Sequence, residues 1–343
     1  MNGFGRQVRP RAVNVVRAWL PLAAAAVFSA LAADKRPVVT EYFGTCDASA
    51  AVPLGSDRFL VASDEDSVLR LYRLDRTNAP EQVFDVTGFL DLDYRHPESD
   101  IEGAALVGDV AYWISSHARS VGGKVRESRS RFFATRIATS DTRVTVTPIG
   151  RPYRYLLADM ETDAKLAPCG LASAAGLAAR APGALNIEGL CATPDGRLLI
   201  GFRSPVPQGR ALLLPLLNPA EVVLGQQARF GPPIELRLGG FGVRDMALVN
   251  GRYVVIGGAS GSGGQERLLL WDGNSDEANE VNAARFKGLQ PEVVIGYPGK
   301  GLAELQVLSD DGARRLDGCP CKDLPDPQQR RFRSVWVRPK KGR

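Results

Sequence analysis

A chain of 343 residues, 44% of them hydrophobic and 24% charged, is long enough for one large domain or two ordinary ones. Its formal net charge of +5 comes from the two ends: residues 1–33 hold four arginines, residues 330–343 hold seven basic residues, and neither segment has an acid. The rest has 32 basic residues against 38 acidic ones, and this acidic balance argues against a nucleic-acid-binding surface.

The first 33 residues have the pattern of a signal peptide. Arginines between Arg6 and Arg17 precede an apolar run over residues 18–33, which ends in Ala30-Leu31-Ala32-Ala33. Small residues at this spacing predict cleavage near Ala32 or Ala33 and a periplasmic or secreted protein. The run is shorter than the roughly 20 residues of a spanning helix, so no stable membrane span is expected after cleavage; an uncleaved anchor is the alternative.

Five cysteines give an odd count, which leaves at least one thiol unpaired within the chain. Cys191 lies in an apolar stretch and is predicted to be a buried thiol. Cys319 and Cys321 offer one partner for Cys46. With no pair of Cys-x-x-Cys motifs and only two histidines, the sequence argues against a zinc site.

Paired apolar strands separated by tight polar turns recur along the chain. The clearest turns are Asp195-Gly196 and Asn250-Gly251, and the units begin near residues 47, 100, 187, 244 and 291. Most spacings are 47–57 residues, which suits a four-stranded propeller blade. The prediction is an all-β, five-bladed β-propeller over residues 34–338. Six blades, or a two-sheet sandwich, are the alternatives.

One step in this repeat is long. It spans 87 residues and contains Tyr155–Met160 and the alanine-rich Leu171–Ala181, which predict two short helices in an insertion over residues 151–185. The ring is expected to close with residues 332–337 as the third strand of the last blade and residues 37–42 as its fourth. Residues 339–343 form a basic tail.

Propeller geometry brings the start of each inner strand beside the end of the second strand, on one face of the disc. The polar residues predicted to gather there are Asp47 with Asp64, Glu65 and Asp66; Asp100 and Glu102 with His117 and Arg119; Asn186 and Glu188 with Arg203; Arg244 and Asp245 with Ser260 and Ser262; and Glu292 with Asp310 and Asp311. The insertion is predicted to lie over this channel mouth as a lid.

Two interpretations of these residues stay open. In the first, Glu102, Glu188, Asp245 and Glu292 bind a hard cation such as Ca²⁺, which prefers oxygen ligands. Arg119, Arg203 and Arg244 would then hold an anionic small molecule, and His117 would act as a general acid or base. In the second interpretation these acids and arginines, for example Glu188 and Arg203, simply pair with one another in a wet channel.

Four stretches carry a family resemblance: DIEGAALVGDVAYWISSHARS, NIEGLCATPDGRLLIGFRSP, GRALLLPLLNP and GFGVRDMALVNGRYVVIGG. Together they resemble the bacterial domain of unknown function 3616 over roughly residues 47–310. The Glu-Gly-Leu unit at residues 188–190, with the related Glu-Gly-Ala at residues 102–104, is also similar to those of the phytase-like, or esterase-like, propellers. That wider likeness implies a Ca²⁺-dependent phosphoester hydrolase. A non-catalytic ligand-binding or scaffold propeller of the cell envelope is the alternative.

Overall fold

Five antiparallel sheets of four strands each dominate the computed structural model. It describes residues 1–5, 38–76, 79–140, 143–261, 265–281, 286 and 288–339. The inner strands of successive sheets contact one another in a closed ring, with the fifth returning to the first. The chain is therefore a five-bladed β-propeller, as predicted.

The strands follow the chain blade by blade, except for the first strand, β1, which belongs to the last blade. Blades 1 and 2 are β2 (Ala50–Leu54), β3 (Arg58–Ala62), β4 (Val68–Arg73) and β5 (Gln82–Asp85), then β6 (Ile101–Val107), β7 (Val110–Ser115), β8 (Phe132–Thr139) and β9 (Val144–Tyr153). Blades 3 and 4 are β10 (Asn186–Ala192), β11 (Leu198–Ser204), β12 (Ala211–Leu216) and β13 (Ile234–Leu236), then β14 (Gly242–Val249), β15 (Arg252–Gly258), β16 (Arg267–Trp271) and β17 (Asn279–Glu280). Blade 5 is β18 (Pro291–Gly296), β19 (Leu305–Ser309), β22 (Arg331–Val337) and β1 (Val39–Phe43); a separate ribbon pairs β20 (Arg315–Leu316) with β21 (Cys319–Pro320).

Both ends of the chain close the ring. Strand β1 pairs antiparallel with β22, with Val39 opposite Val335, so the amino-terminal strand is the fourth strand of blade 5 as predicted. A disulfide joins Cys46, just before blade 1, to Cys321 in blade 5. Cys191 is a buried free thiol. These links protect the edge strands and fix the first blade against the last.

The helices are short. They are α1 (Thr87–Leu90), α2 (Leu156–Thr162), α3 (Leu171–Ala175) and α4 (Pro219–Val222), with 3₁₀ turns at Glu127–Arg129, Ala164–Cys169, Pro207–Gly209, Gly301–Ala303, Cys321–Asp323 and Pro327–Gln329. Both α2 and α3 lie between blades 2 and 3, where the sequence predicts helices, and Leu156 and Leu171 pack into the core shared by these blades. Strand β9 continues to Tyr153, so the β-structure extends into the predicted insertion.

The predicted signal peptide falls almost wholly on residues outside the described ones, as does most of the basic tail. In the described part of the chain, no helix combines the length and the apolar character needed to cross a bilayer.

Two Glu-Gly pairs of the repeat have a packing role. A Cβ atom on Gly189 would lie 2.7 Å from Cγ1 of Val243 on the next inner strand, and one on Gly103 would lie 3.0 Å from the carbonyl oxygen of Glu188. Glycine at these positions lets neighbouring inner strands approach closely, while the preceding glutamate reaches the channel mouth.

The substitution Gly189→Ala is therefore expected to lower the free energy of unfolding by about 2 kcal/mol, because the added methyl group overpacks the contact between blades 3 and 4. Urea denaturation followed by circular dichroism measures the change. The control is Gly88→Ala in α1, where a Cβ atom meets nothing within 4 Å. That variant is expected to be neutral or slightly stabilised. Equal stability of the two variants would contradict the packing role.

Candidate functional site at the channel mouth

A β-bulge at the start of the inner strand determines which side chains lie at the mouth of the channel. In blades 2 to 5 the register between the first two strands shifts near the start of the inner strand, and the inner-strand residues left without a partner are Glu102, Glu188, Arg244 and Glu292. In blade 3 two shifts cancel, so Arg203 on the second strand has no partner either. Bulges re-aim side chains, and they recur next to functional sites. The mouth therefore carries three acids and one arginine at equivalent positions.

Asp245 does not share the position of the other three predicted inner carboxylates. It is paired with Ile256 in the sheet, and the bulge places Arg244 at the equivalent position instead. The buried carboxylate of Asp245 accepts a hydrogen bond of 2.7 Å from the backbone N–H of Val294 in blade 5. Burial raises its pKa well above the ordinary value even though this hydrogen bond acts in the opposite direction. Asp245 thus links two blades.

One side of the mouth is a chain of ion pairs across blades 3, 4 and 5. Arg203 Nη1 donates to Glu188 Oε1 over 2.7 Å, and Arg244 Nη2 donates to Glu292 Oε1. Arg244 Nε lies 3.7 Å from Glu188 Oε2. Burial alone would lower the pKa of Arg244, but Glu292 and Glu188 raise it above its usual range. On this side, opposite charges largely neutralise one another.

The other side, between blades 1 and 2, is acidic. Carboxylate oxygens lie within 4.8 Å of one another in two overlapping groups: Asp47, Asp64 and Glu65, and Asp64, Asp100 and Glu102. These five residues are called the acidic cluster below. Burial and then the charges of neighbouring acids raise the pKa of Asp64 to about 8. Burial and then Asp310 raise the pKa of Asp47 to about 10.

The acidic cluster has more negative charge than the described basic residues offset. Asp47 is 5% exposed, and no described N–H group or hydroxyl donates to its carboxylate or to that of Glu102. Burial and neighbouring acids raise the pKa of Glu102 well above its ordinary value. Arg129 lies 3.5 Å from Asp100, and Lys322 lies 2.8 Å from Glu65. Crowded oxygens with no nitrogen or sulfur among them fit a hard divalent cation.

A cavity of about 580 Å³ borders the acidic cluster between blades 1 and 2. Its lining includes three arginines, Arg95, Arg126 and Arg129, and three acids, Glu65, Asp66 and Glu98. These arginines come from loops and are absent from the sequence-based prediction, which took only Arg119 from the same arginine-rich loop. The density of basic residues between Arg119 and Arg131 was the available signal. Guanidinium groups at a cavity wall suit an anionic ligand.

His117 and Arg119 belong to a different part of the blade 2 loop. Both line a smaller cavity, of about 170 Å³, beside the helical insertion. Arg119 Nε donates to the backbone carbonyl of Ala175 in α3 over 2.6 Å. Burial, with a smaller contribution from Arg131, lowers the pKa of His117 to about 4, so the imidazole is neutral at physiological pH.

The fold and the mouth together define an all-β propeller with a charged site on one face. The chain belongs to the family described as protein of unknown function (DUF3616), which it matches over residues 47–142 and 153–301. A comparison with curated proteins found no match.

Several solved propeller structures are similar at low identity. A putative oxidoreductase (glucose dehydrogenase) from Thermus thermophilus shares 14% identity, with 88% of this chain and 100% of that chain covered and a TM-score of 0.42. The PQQ-bound aldose sugar dehydrogenase from Streptomyces coelicolor shares 12%, covering 88% and 100%, with a TM-score of 0.38. Virginiamycin B lyase from Staphylococcus aureus shares 8%, covering 88% and 99%, with a TM-score of 0.36. Likeness at this level says nothing about activity.

Proposed function

We propose that this protein binds a divalent cation, Ca²⁺ in the first place, and uses it to hold an anionic small molecule at the channel mouth. The observation that supports this most strongly is the acidic cluster, whose carboxylates form two overlapping groups of three within 4.8 Å. The pKa values of Asp47, Asp64 and Glu102 in this cluster are raised. Buried acids held this close repel one another unless protons or a cation neutralise them. A cation would stabilise their ionised form.

Within the cluster, Asp64 is the central ligand of the proposed site because it is shared by both groups of three carboxylates. Asp47, Asp100 and Glu102 would complete an oxygen-only site. Of the four acids predicted from sequence, Glu102 is retained, whereas Glu188 and Glu292 face Arg244. Those two, like Asp245, are assigned here to holding the blades together.

The anionic group of the ligand is assigned to the neighbouring cavity of about 580 Å³. Arg126, whose guanidinium has no acceptor among the described residues, would take the role that the sequence gave to Arg119, Arg203 and Arg244, because the guanidinium groups of these three donate to protein partners. Arg129 pairs with Glu98 and Asp100 and would support the site from its wall. A bound divalent cation can polarise a phosphoryl oxygen and lower the pKa of water. The reaction class that this combination would support is phosphoester hydrolysis, by an exported enzyme.

A second candidate function is a non-catalytic ligand-binding or scaffold propeller of the cell envelope. It is favoured by the ion-pair chain, in which Arg203, Glu188, Arg244 and Glu292 pair with one another across three blades.

Hydrolysis of p-nitrophenyl phosphate and binding of inorganic phosphate, each with Ca²⁺ and with a chelator, distinguish the two functions. We expect phosphate binding that depends on Ca²⁺. The affinity should fall about tenfold in Arg126→Gln, because this variant loses one charge-assisted hydrogen bond. The control is Arg136→Gln, whose side chain is exposed beside Asp109 at the hairpin turn of blade 2. Binding without turnover would identify a binding protein. Absence of Ca²⁺-dependent binding would refute the anion site.

A further inference from the structure

The cavity of about 580 Å³ between blades 1 and 2 holds one of the two histidines of the chain. Besides the three arginines and three acids of its lining, His96 is its one further titratable side chain. The volume is within the range of about 300–1,000 Å³ that is usual for small-molecule sites. His96 therefore lies where it can reach a ligand of the proposed anion site.

Each acid of the lining already has a basic partner. The pairs are Glu65 with Lys322, Asp66 with Arg70, and Glu98 with Arg129. Among the described residues, no carboxylate pairs with Arg95, Arg126 or His96. The charge that the lining leaves unpaired is therefore positive, which favours an anion over a cation in this cavity.

The loop that carries His96 is fixed to the loop that carries the arginines. The backbone N–H of Asp93 donates to Ser128 Oγ over 2.9 Å, and the backbone N–H of His96 donates to the carbonyl of Asp93 over 2.9 Å. Arg131, which is 1% exposed, donates through Nε to the carbonyl of Leu90 over 2.8 Å. These contacts hold the two loops as opposite walls of one cavity.

The imidazole of His96 is free to act on a ligand. It is exposed, and no described group is hydrogen-bonded to its ring nitrogens. Pro97 follows it and restricts its backbone, so the ring is presented from a limited range of conformations. Histidine changes its charge near neutral pH, so its ring can both contact an anion and give up a proton. His117 is excluded from this role because it lines the smaller cavity instead, and burial lowers its pKa to about 4.

We propose that His96 is the acid–base residue of this cavity, whose imidazolium contacts the anionic group of the ligand and donates a proton to the leaving oxygen. The assignment rests on the proposed function, because it adds a catalytic residue to the anion site described there. In the hydrolysis of a phosphate monoester, the oxygen of water forms a bond to phosphorus and the bond from phosphorus to the ester oxygen breaks. The electron pair of that bond stays on the ester oxygen, which takes the proton of His96 and leaves as an alcohol. The attacking water releases one proton, which restores the imidazolium.

Phosphate titration tests the contact, with ¹⁵N-histidine labelling as the readout. Inorganic phosphate is added to the Ca²⁺-loaded protein, and its affinity is measured in parallel by calorimetry. We expect the ring resonances of His96 to shift and to saturate with phosphate, while those of His117 in the smaller cavity stay in place. If phosphate binds and His96 does not respond, the assignment of His96 is overturned but the anion site stands. If phosphate does not bind, both are overturned.

Two esters separate proton donation from binding. Phenoxide is a poorer leaving group than p-nitrophenoxide, so the hydrolysis of phenyl phosphate depends more strongly on a proton donor. We expect His96→Asn to lower kcat by about 100-fold for phenyl phosphate and by less than about tenfold for p-nitrophenyl phosphate, because general acid catalysis contributes at least about 100-fold where it is needed.

The control is Arg136→Gln, at the hairpin turn of blade 2, which is expected to hydrolyse both esters as the wild type does. Circular dichroism checks that His96→Asn is folded, as its exposed position predicts. An equal loss on both esters, or no loss on either, would overturn the role of His96 as proton donor. A wild type that binds phosphate but hydrolyses neither ester would overturn it as well.

Discussion

Replacement of Arg244 by methionine is expected to lower the free energy of unfolding by about 3–5 kcal/mol at neutral pH. The guanidinium lies between Glu188 and Glu292, and all three side chains are less than 10% exposed. Methionine preserves much of the side-chain volume but leaves two buried carboxylates without their cation. Breaking a buried ion pair costs far more than removing an exposed one, because the remaining charge has no water to solvate it. Urea denaturation monitored by circular dichroism measures the loss.

Two further variants separate charge from packing. Arg203→Met removes the other partner of Glu188, but its side chain is 22% exposed, and about 1 kcal/mol is expected. The double variant Arg244→Met with Glu292→Gln should recover part of the loss, because one buried carboxylate is gone. If Arg244→Met alone remained within about 1 kcal/mol of the wild type, the ion-pair chain would not be what stabilises the mouth.

The metal-free protein is expected to lose about 3–4 kcal/mol of stability between pH 6.5 and pH 8. The folded state raises the pKa of Asp47 to about 10 and that of Asp64 to about 8, from a value of 3.8. In this window the folded chain holds protons that the unfolded chain has released, so stability falls as the pH rises. Below pH 6.5 the lowered pKa of His117 acts in the opposite direction, which is why the window starts there.

Thermal unfolding in the presence of a chelator, repeated across this pH range, measures how steeply the free energy of unfolding falls with pH. Asp64→Asn should make this slope shallower, because the amide removes the titration of Asp64 and part of the repulsion on Asp47. Saturating Ca²⁺ should also flatten it, since the ion takes the place of the protons. A wild-type slope that is flat in chelator would mean that the acids of the cluster are ionised and tolerated without a cation.

The number of blades was predictable because a local sequence pattern, a tight turn between two apolar runs, indicates each hairpin. Asp195-Gly196 and Asn250-Gly251 both form turns with glycine at positive φ, between strands that the apolar runs predict. Closure by the amino-terminal strand followed from the same count, since the last unit lacked one strand. The turn residues and the number of strands were therefore enough to predict the propeller and the way in which its ring closes.

The site was less predictable, because a bulge shifts the register by one residue and exchanges the two faces of a strand. Alternation alone cannot tell whether Arg244 or Asp245 reaches the mouth, and the bulge selects Arg244. Nor does sequence show that His117 turns toward the insertion, since this depends on its left-handed backbone and on the Arg119 contact with α3. The acids near Asp64, by contrast, gather as the blade geometry predicts.

Calcium titration of chelator-treated protein by isothermal calorimetry tests the proposed cation site most directly. The wild type is predicted to bind Ca²⁺, Asp64→Asn to lose that binding, and Asp109→Asn, an exposed acid at the hairpin turn of blade 2, to bind as the wild type does. Absence of calcium binding by the wild type, or equal binding by Asp64→Asn, would contradict the assignment of the acidic cluster as a cation site.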